Sequence, residues 1–187
     1  MLVHNNGWET FEAFDFSSTI TTEDQTLAMQ DIKRLIDNGD YFKNSPPFQT
    51  NKNIFAQEGD HWLKFRMSFI FSAFMYLKKE VQIQQIQSWG YMTSKTSYED
   101  PEIYWHTHQY GNEKTLSGIY YLHIPEDADK ATSGTEFALN GVENPERWTS
   151  PVLDYHWFIY PGKTWHRPTI PQSNENRFVI AADMVIG

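Results

Sequence analysis

Three histidines are the side chains in this sequence best suited to holding a metal ion. Two of them, His106 and His108, are separated by one residue within Ile103-Tyr104-Trp105-His106-Thr107-His108-Gln109-Tyr110, and the third, His166, follows a Pro-Gly turn. In an extended strand alternate side chains share a face, so His106 and His108 point the same way, with Tyr104 and Tyr110 beside them. An isolated His-x-His is more often a solvated strand face than a metal site, so its surroundings must decide. Here they include the apolar run Trp157-Phe158-Ile159-Tyr160, then Pro161-Gly162, then His166, and a closed sandwich can return His166 to the first pair. With no cysteine in the chain, a metal has only imidazole, carboxylate or water as ligands.

Arg177 is the second candidate. It opens the apolar run Phe178-Val179-Ile180-Ala181-Ala182, where a guanidinium is costly unless it meets an anion or an internal Glu or Asp. Its planar fork suits a carboxylate, and in the company of three histidines a bound carboxylate ligand is the favoured reading.

The elements that must position these groups can be read from periodicity. Thr22-Glu23-Asp24-Gln25 has the capping-box pattern, and Ala28, Ile32, Leu35 and Ile36 follow at helical spacing until Asn38-Gly39. Residues 40 to 59, with Ser45-Pro46-Pro47, read as a connecting loop. A second helix begins near Asp60 and carries Phe65, Phe69, Ile70, Ala73 and Leu77 on one stripe, while Lys64, Arg66, Lys78 and Lys79 reach solvent. From Val81 the character becomes β-like, in runs over 81 to 93, 103 to 110, 116 to 124, 134 to 139, 155 to 160 and 177 to 185. Several short strands after two helices predict a mainly β, α+β protein. Its expected form is one domain over 1 to 187, a jelly roll over 81 to 187 with residues 1 to 80 as helical support.

Bulk properties narrow the function. The 187 residues suffice for one core, and the aromatic share of 16% suits a ring-lined sandwich. A net charge of -9 with scattered basic residues disfavours nucleic acid. The apolar stretch Met67 to Leu77 is too short to span a membrane, and the first residues lack the basic and apolar regions of a secretion signal, so a cytoplasmic protein is expected. His4, His61, His123 and His156 have no partner at ligand spacing and are expected at the surface or in ordinary hydrogen bonds.

Taken in order, His106-Thr107-His108, Leu116-Ser117-Gly118-Ile119-Tyr120-Tyr121-Leu122, Ser133-Gly134-Thr135-Glu136-Phe137, Tyr160-Pro161-Gly162, His166 and Arg177 resemble the 2-oxoglutarate and Fe(II)-dependent oxygenases. The likeness is to the phage and marine-bacterial branch with a His-x-His motif and a Ser-Gly-(Val/Ile)-Tyr-Tyr strand, and more distantly to the prolyl 4-hydroxylases. It spans roughly residues 81 to 185. The resemblance implies a double-stranded β-helix, cupin-like. It implies Fe(II) on His106 and His166, and 2-oxoglutarate clamped by Arg177 with Tyr121 as second donor and Ser117 in the same strand. The activity it implies is a hydroxylase that couples oxidative decarboxylation of 2-oxoglutarate by dioxygen to oxidation of a C–H bond in a small-molecule or peptide substrate.

The departure is His108, which stands where that family has Asp or Glu. Three imidazoles still leave three positions on iron, and the centre gains one unit of positive charge, which favours an anionic cosubstrate. Glu136 or Asp183 are alternative carboxylates without the two-residue spacing, so His108 ranks first as ligand. Trp105, Tyr104, Tyr110 and Trp165 are expected to wall the site. Two rival readings remain: a three-histidine cupin-type dioxygenase without 2-oxoglutarate, and a non-catalytic metal-binding jelly roll, for instance of a virion.

Overall fold

The computed structural model describes residues 2–5, 10–42, 48–97, 104–108, 114–144 and 146–187. The strands are β1 (Leu2–Asn5), β2 (Thr10–Asp15), β3 (Ile83–Thr93), β4 (Thr115–His123), β5 (Thr135–Ala138), β6 (Arg147–Thr149), β7 (His156–Pro161), β8 (Trp165–Pro168) and β9 (Arg177–Ile186). The helices are α1 (Thr22–Asp37) and α2 (Asp60–Leu77). Six strands form a large antiparallel sheet in the order β1-β2-β7-β4-β9-β3, and three form a small one, β6-β5-β8. This is a jelly roll carried on helices, as the pattern of elements predicts.

Each face of the large sheet has its own core. Leu116, Tyr120 and Leu122 of β4, Trp157 and Ile159 of β7, and Ile180, Ala182 and Met184 of β9 pack with Ala28, Ile32, Trp62, Phe65, Phe69 and Ala73 of the helices. The alternate residues face the small sheet, where Phe11, Ile119, Tyr121, Phe158 and Tyr160 gather around Phe137. Strand β4 therefore has no solvent face, which is why its sequence reads as a nearly unbroken apolar and aromatic run. Gly118 sits in that strand under α2: a Cβ there would stand 2.6 Å from Phe69 Cε2 and 3.0 Å from Ile159 Cδ1.

Helix α1 starts one residue earlier than the sequence pattern suggests. Thr21 is the N-cap, its hydroxyl accepting from Asp24 N, while the Asp24 carboxylate accepts from Thr21 N at 2.8 Å. Asp24 also takes Lys64 Nζ at 2.8 Å, which ties α1 to α2. The first eighty residues are more than helical support. Strand β2 joins the large sheet beside β7, with Glu12 opposite Ile159 and Phe14 opposite Trp157, so Phe11 and Ala13 enter the inter-sheet core. The expected strand over 103 to 110 is described only at 104 to 108, where it makes a single β-bridge, and Tyr110 lies outside the described residues. Strands β6 and β8, three and four residues long, were not expected.

Candidate metal centre

Backbone pairing brings the three histidines together. His106 N donates to His166 O at 3.1 Å and His166 N to His106 O at 3.0 Å, so the two are directly opposed across a hydrogen-bonded antiparallel pair and their side chains share a face. His108 N donates to Gly162 O at 2.7 Å, which carries the same pairing into the Pro161-Gly162 turn. Gly162 approaches closely there, since a Cβ would stand 3.1 Å from His108 O and 2.9 Å from the Thr115 side chain. His106 and His108, two apart, then aim at one point with His166. One nitrogen from each ring falls within 4.8 Å of the others, and the ring centroids are 4.3, 4.9 and 5.2 Å apart.

Hydrogen bonds on the far side of each ring fix which nitrogen faces that point. His106 Nδ1 lies 3.2 Å from Tyr104 O and His166 Nδ1 2.9 Å from Thr164 O. A carbonyl only accepts, so Nδ1 carries the proton in both and Nε2 keeps a lone pair. His108 Nδ1 meets the Asp183 carboxylate, which imposes the same tautomer. Burial and the mutual proximity of the rings hold the imidazolium pKa of His166 well below its ordinary value and that of His106 below it, which keeps both rings neutral. Three imidazoles whose outer nitrogens are engaged are a donor set that fits a divalent transition metal. His166 Nε2 takes its contact from the Tyr160 hydroxyl at 3.2 Å. Burial and the nearby Asp183 raise the Tyr160 pKa, so that hydroxyl stays a donor to a lone pair that a cation would otherwise use.

Asp183 belongs to the outer ring of contacts. It is buried, it takes the Ser117 hydroxyl at 2.7 Å on Oδ1, and its Oδ2 faces His108. Register explains the triangle: Ser117 is opposite Asp183 on one side of β4 and opposite Tyr160 on the other. Ser117 thus stands behind the histidines as a support for Asp183. Glu136 is committed elsewhere, its carboxylate accepting from Arg167 Nε at 2.7 Å.

On the inner face of β9, Arg177, Val179, Ala181 and Asp183 line a cavity of about 310 Å³ that also meets His106, His108, His166, Tyr121 and Tyr160. Arg177 is buried. Its Nη1 donates to Ser133 O at 2.9 Å and Thr169 Oγ1 at 3.2 Å, its Nη2 to Thr169 O at 3.1 Å, and its Nε to Thr93 Oγ1 at 3.2 Å. Tyr121 Oη lies 3.0 Å from Ser150 Oγ and 3.2 Å from Thr135 Oγ1, and burial raises its pKa, so it too remains a hydroxyl donor.

Of the expected wall, only Tyr104 lines the cavity among the described residues. Trp105 turns to the other side of its segment, where Arg147 and Arg167 stack on its ring at 4.8 and 4.5 Å, and Trp165 is exposed, off the cavity. Tyr91, Thr93 and Gln49, which carry no motif, do line it. The first two alternate with Trp89 on β3, and that alternation was the signal that could have found them. His61 and His156 have ordinary partners, Asp31 at 3.1 Å and Asp154 O at 2.7 Å.

Several solved structures share this fold. AviO1 from Streptomyces viridochromogenes Tue57 superposes with a TM-score of 0.68 at 11% identity, covering 94% of this chain and 89% of that one. A prolyl-4-hydroxylase from Pseudomonas putida gives 0.60 at 9% identity, covering 94% and 91%. The non-heme alpha ketoglutarate dependent epimerase SnoN of nogalamycin biosynthesis gives 0.67 at 10%, covering 94% and 76%. SnoN has also been solved with Fe3+, alpha ketoglutarate and nogalamycin RO. The likeness is one of fold. No protein-family model matches the chain, and no curated protein matches it in sequence. Among the described residues no helix is long and apolar enough to cross a membrane.

Proposed function

We propose that this chain is an Fe(II)- and 2-oxoglutarate-dependent oxygenase whose iron is held by His106, His108 and His166. One observation carries the reading: three Nε2 lone pairs converge at a cavity whose same wall bears a buried arginine, with every outer Nδ1 fixed by a carbonyl or a carboxylate. When bound, iron with 2-oxoglutarate and dioxygen supplies the oxidising power for C–H oxidation, with succinate and CO2 as coproducts.

The protein's own residues do the rest. His106, His108 and His166 would hold the iron at the edge of the cavity that receives cosubstrate and substrate. Asp183 fixes the His108 ring and returns a negative charge to a centre whose ligands carry none, so the carboxylate missing from the ligand set acts from one bond further out. Arg177, held by hydrogen bonds to Thr93, Ser133 and Thr169, offers its charge to the remote carboxylate of the cosubstrate, and the Tyr121 hydroxyl is a second donor on the same wall. Ser117 acts through Asp183. Val179, Ala181 and Ile119 keep the intervening surface apolar and limit water at the reacting carbon. A cavity of this size takes a small metabolite or one side chain of a peptide beside the cosubstrate.

The all-histidine ligand set itself favours a second reading, a cupin-type dioxygenase that uses no 2-oxo acid. Anaerobic Fe(II) titration separates the two. With 2-oxoglutarate present, the visible charge-transfer band of a chelated 2-oxo acid is expected, saturating at higher 2-oxoglutarate in Arg177→Lys. Iron binding with no band at any 2-oxoglutarate concentration, and no succinate under oxygen, would overturn the first reading in favour of the second.

A further inference from the structure

We infer that the protein forms a twofold-symmetric homodimer through the outer face of α2. The buried side of this helix, Trp62, Phe65, Phe69 and Ala73, packs on the sheet. Its opposite side carries an apolar row between Lys64 and Arg66, where an amphipathic helix normally turns only polar and charged residues to water. Leu63, Met67, Phe71 and Met75, four residues apart, are 57%, 39%, 53% and 46% exposed. An unbroken apolar row of this kind along about three turns marks an interaction surface rather than scattered exposure.

The order of residues along that face specifies the occupant. Asp60, Lys64, Met67, Phe71, Phe74 and Lys78 recur at alternating intervals of four and three, the spacing of a helix-pairing seam, with Leu63 and Met75 flanking it. A twofold axis crossing the helix at the level of Phe69 pairs the seam with its own antiparallel copy. Met67 then meets the second copy's Phe71, Leu63 its Met75, the aliphatic stem of Lys64 its Phe74, and Asp60 its Lys78. The two charged ends are of opposite sign, and Asp60 and Lys78 lie at opposite ends of one helix, so they complement each other only when the copies run antiparallel. A shallow crossing near 20° keeps those ends in reach. Asp60 in the first turn and Lys78 at the C-cap also oppose the helix dipole of their own chain favourably. The centre of the patch is apolar and its ends are charged, as an interface core and rim require.

One helix face, extended by the exposed Leu27 of α1, lies at the small end of stable interfaces, so a dimer that dissociates on dilution is expected. Sedimentation velocity of the full chain from about 1 to a few hundred micromolar tests this. Wild type should pass from monomer to dimer within that range. Phe71→Glu, a change at an exposed position that leaves the melting temperature in place, should stay monomeric. Asp60→Lys should weaken association at least about tenfold, and adding Lys78→Asp to it should restore most of the loss. A monomer at every concentration, including one that instead binds anionic or neutral lipid vesicles, would overturn the proposal. So would a dimer indifferent to Phe71→Glu, or a charge swap that fails to rescue.

Discussion

Replacing Asp183 by Asn leaves His108 an acceptor but removes the charge behind it. Metal affinity should fall about 10- to 100-fold with little change in fold, measured by competition titration against a chelator. His166→Gln removes the buried ligand and should abolish stoichiometric metal binding. The same variant isolates a pH effect. The folded pKa of His166 lies below its ordinary value of 6.5, so between the two the unfolded chain binds the extra proton. The contribution of this residue to the stability of the metal-free protein is thus intact above pH 6.5 and lost as pH falls through that window. Chemical denaturation of wild type and His166→Gln over acidic pH should show a shallower slope in the variant. Spacing made the histidines legible in the sequence, because His-x-His fixes a face and the Pro-Gly turn announces a reversal. Asp183 was weighed only as a ligand and set aside for its spacing. Its actual place depends on β9 and β4 standing in a register that puts Ser117 opposite it, a long-range fact with no local signature.

Two glycines set how closely the elements approach. At Gly118 an added methyl meets the Phe69 ring and the Ile159 methyl, side-chain atoms that can yield, so Gly118→Ala should cost about 1 to 3 kcal/mol in thermal or urea unfolding. At Gly134 the same methyl overlaps the Ser150 backbone carbonyl, which cannot yield without moving the strand end. Gly134→Ala should be the more damaging, and because Gly134 O holds Thr169, a partner of Arg177, it should also weaken 2-oxoglutarate binding. The long strands and both helices were readable because their periods run for many residues: β3, β4, β7 and β9 fall within a residue or two of the runs seen in the sequence. The short ones were not. Trp165-His166-Arg167-Pro168 and Arg147-Trp148-Thr149 are too brief for a period, and pairing with β5 makes them strands. Thr10–Asp15 does alternate, but its partner lies at the other end of the chain.

For the molecule as a whole, a metal that binds only the folded state raises the melting temperature with the logarithm of free metal above its dissociation constant, and a chelator should reverse the gain, an effect that His166→Gln should lose. The strand order has a consequence for synthesis. Among the described strands of the large sheet, only β1 and β2 are neighbours in both sequence and space. One edge of β2 waits for β7, and β3 and the other edge of β4 wait for β9, which carries Arg177 and Asp183 and is made after the other strands described in this sheet. At about 5 to 20 residues per second, β2, paired with β1 alone, waits on the order of ten seconds for β7 to reach its other edge and for Phe158 and Tyr160 to join Phe11 and Ala13 in the core. Slow, non-local pairing of this kind exposes sticky intermediates, so yield of native protein in a cell should depend steeply on temperature and on available chaperones, even though the finished sheet is fully buttressed.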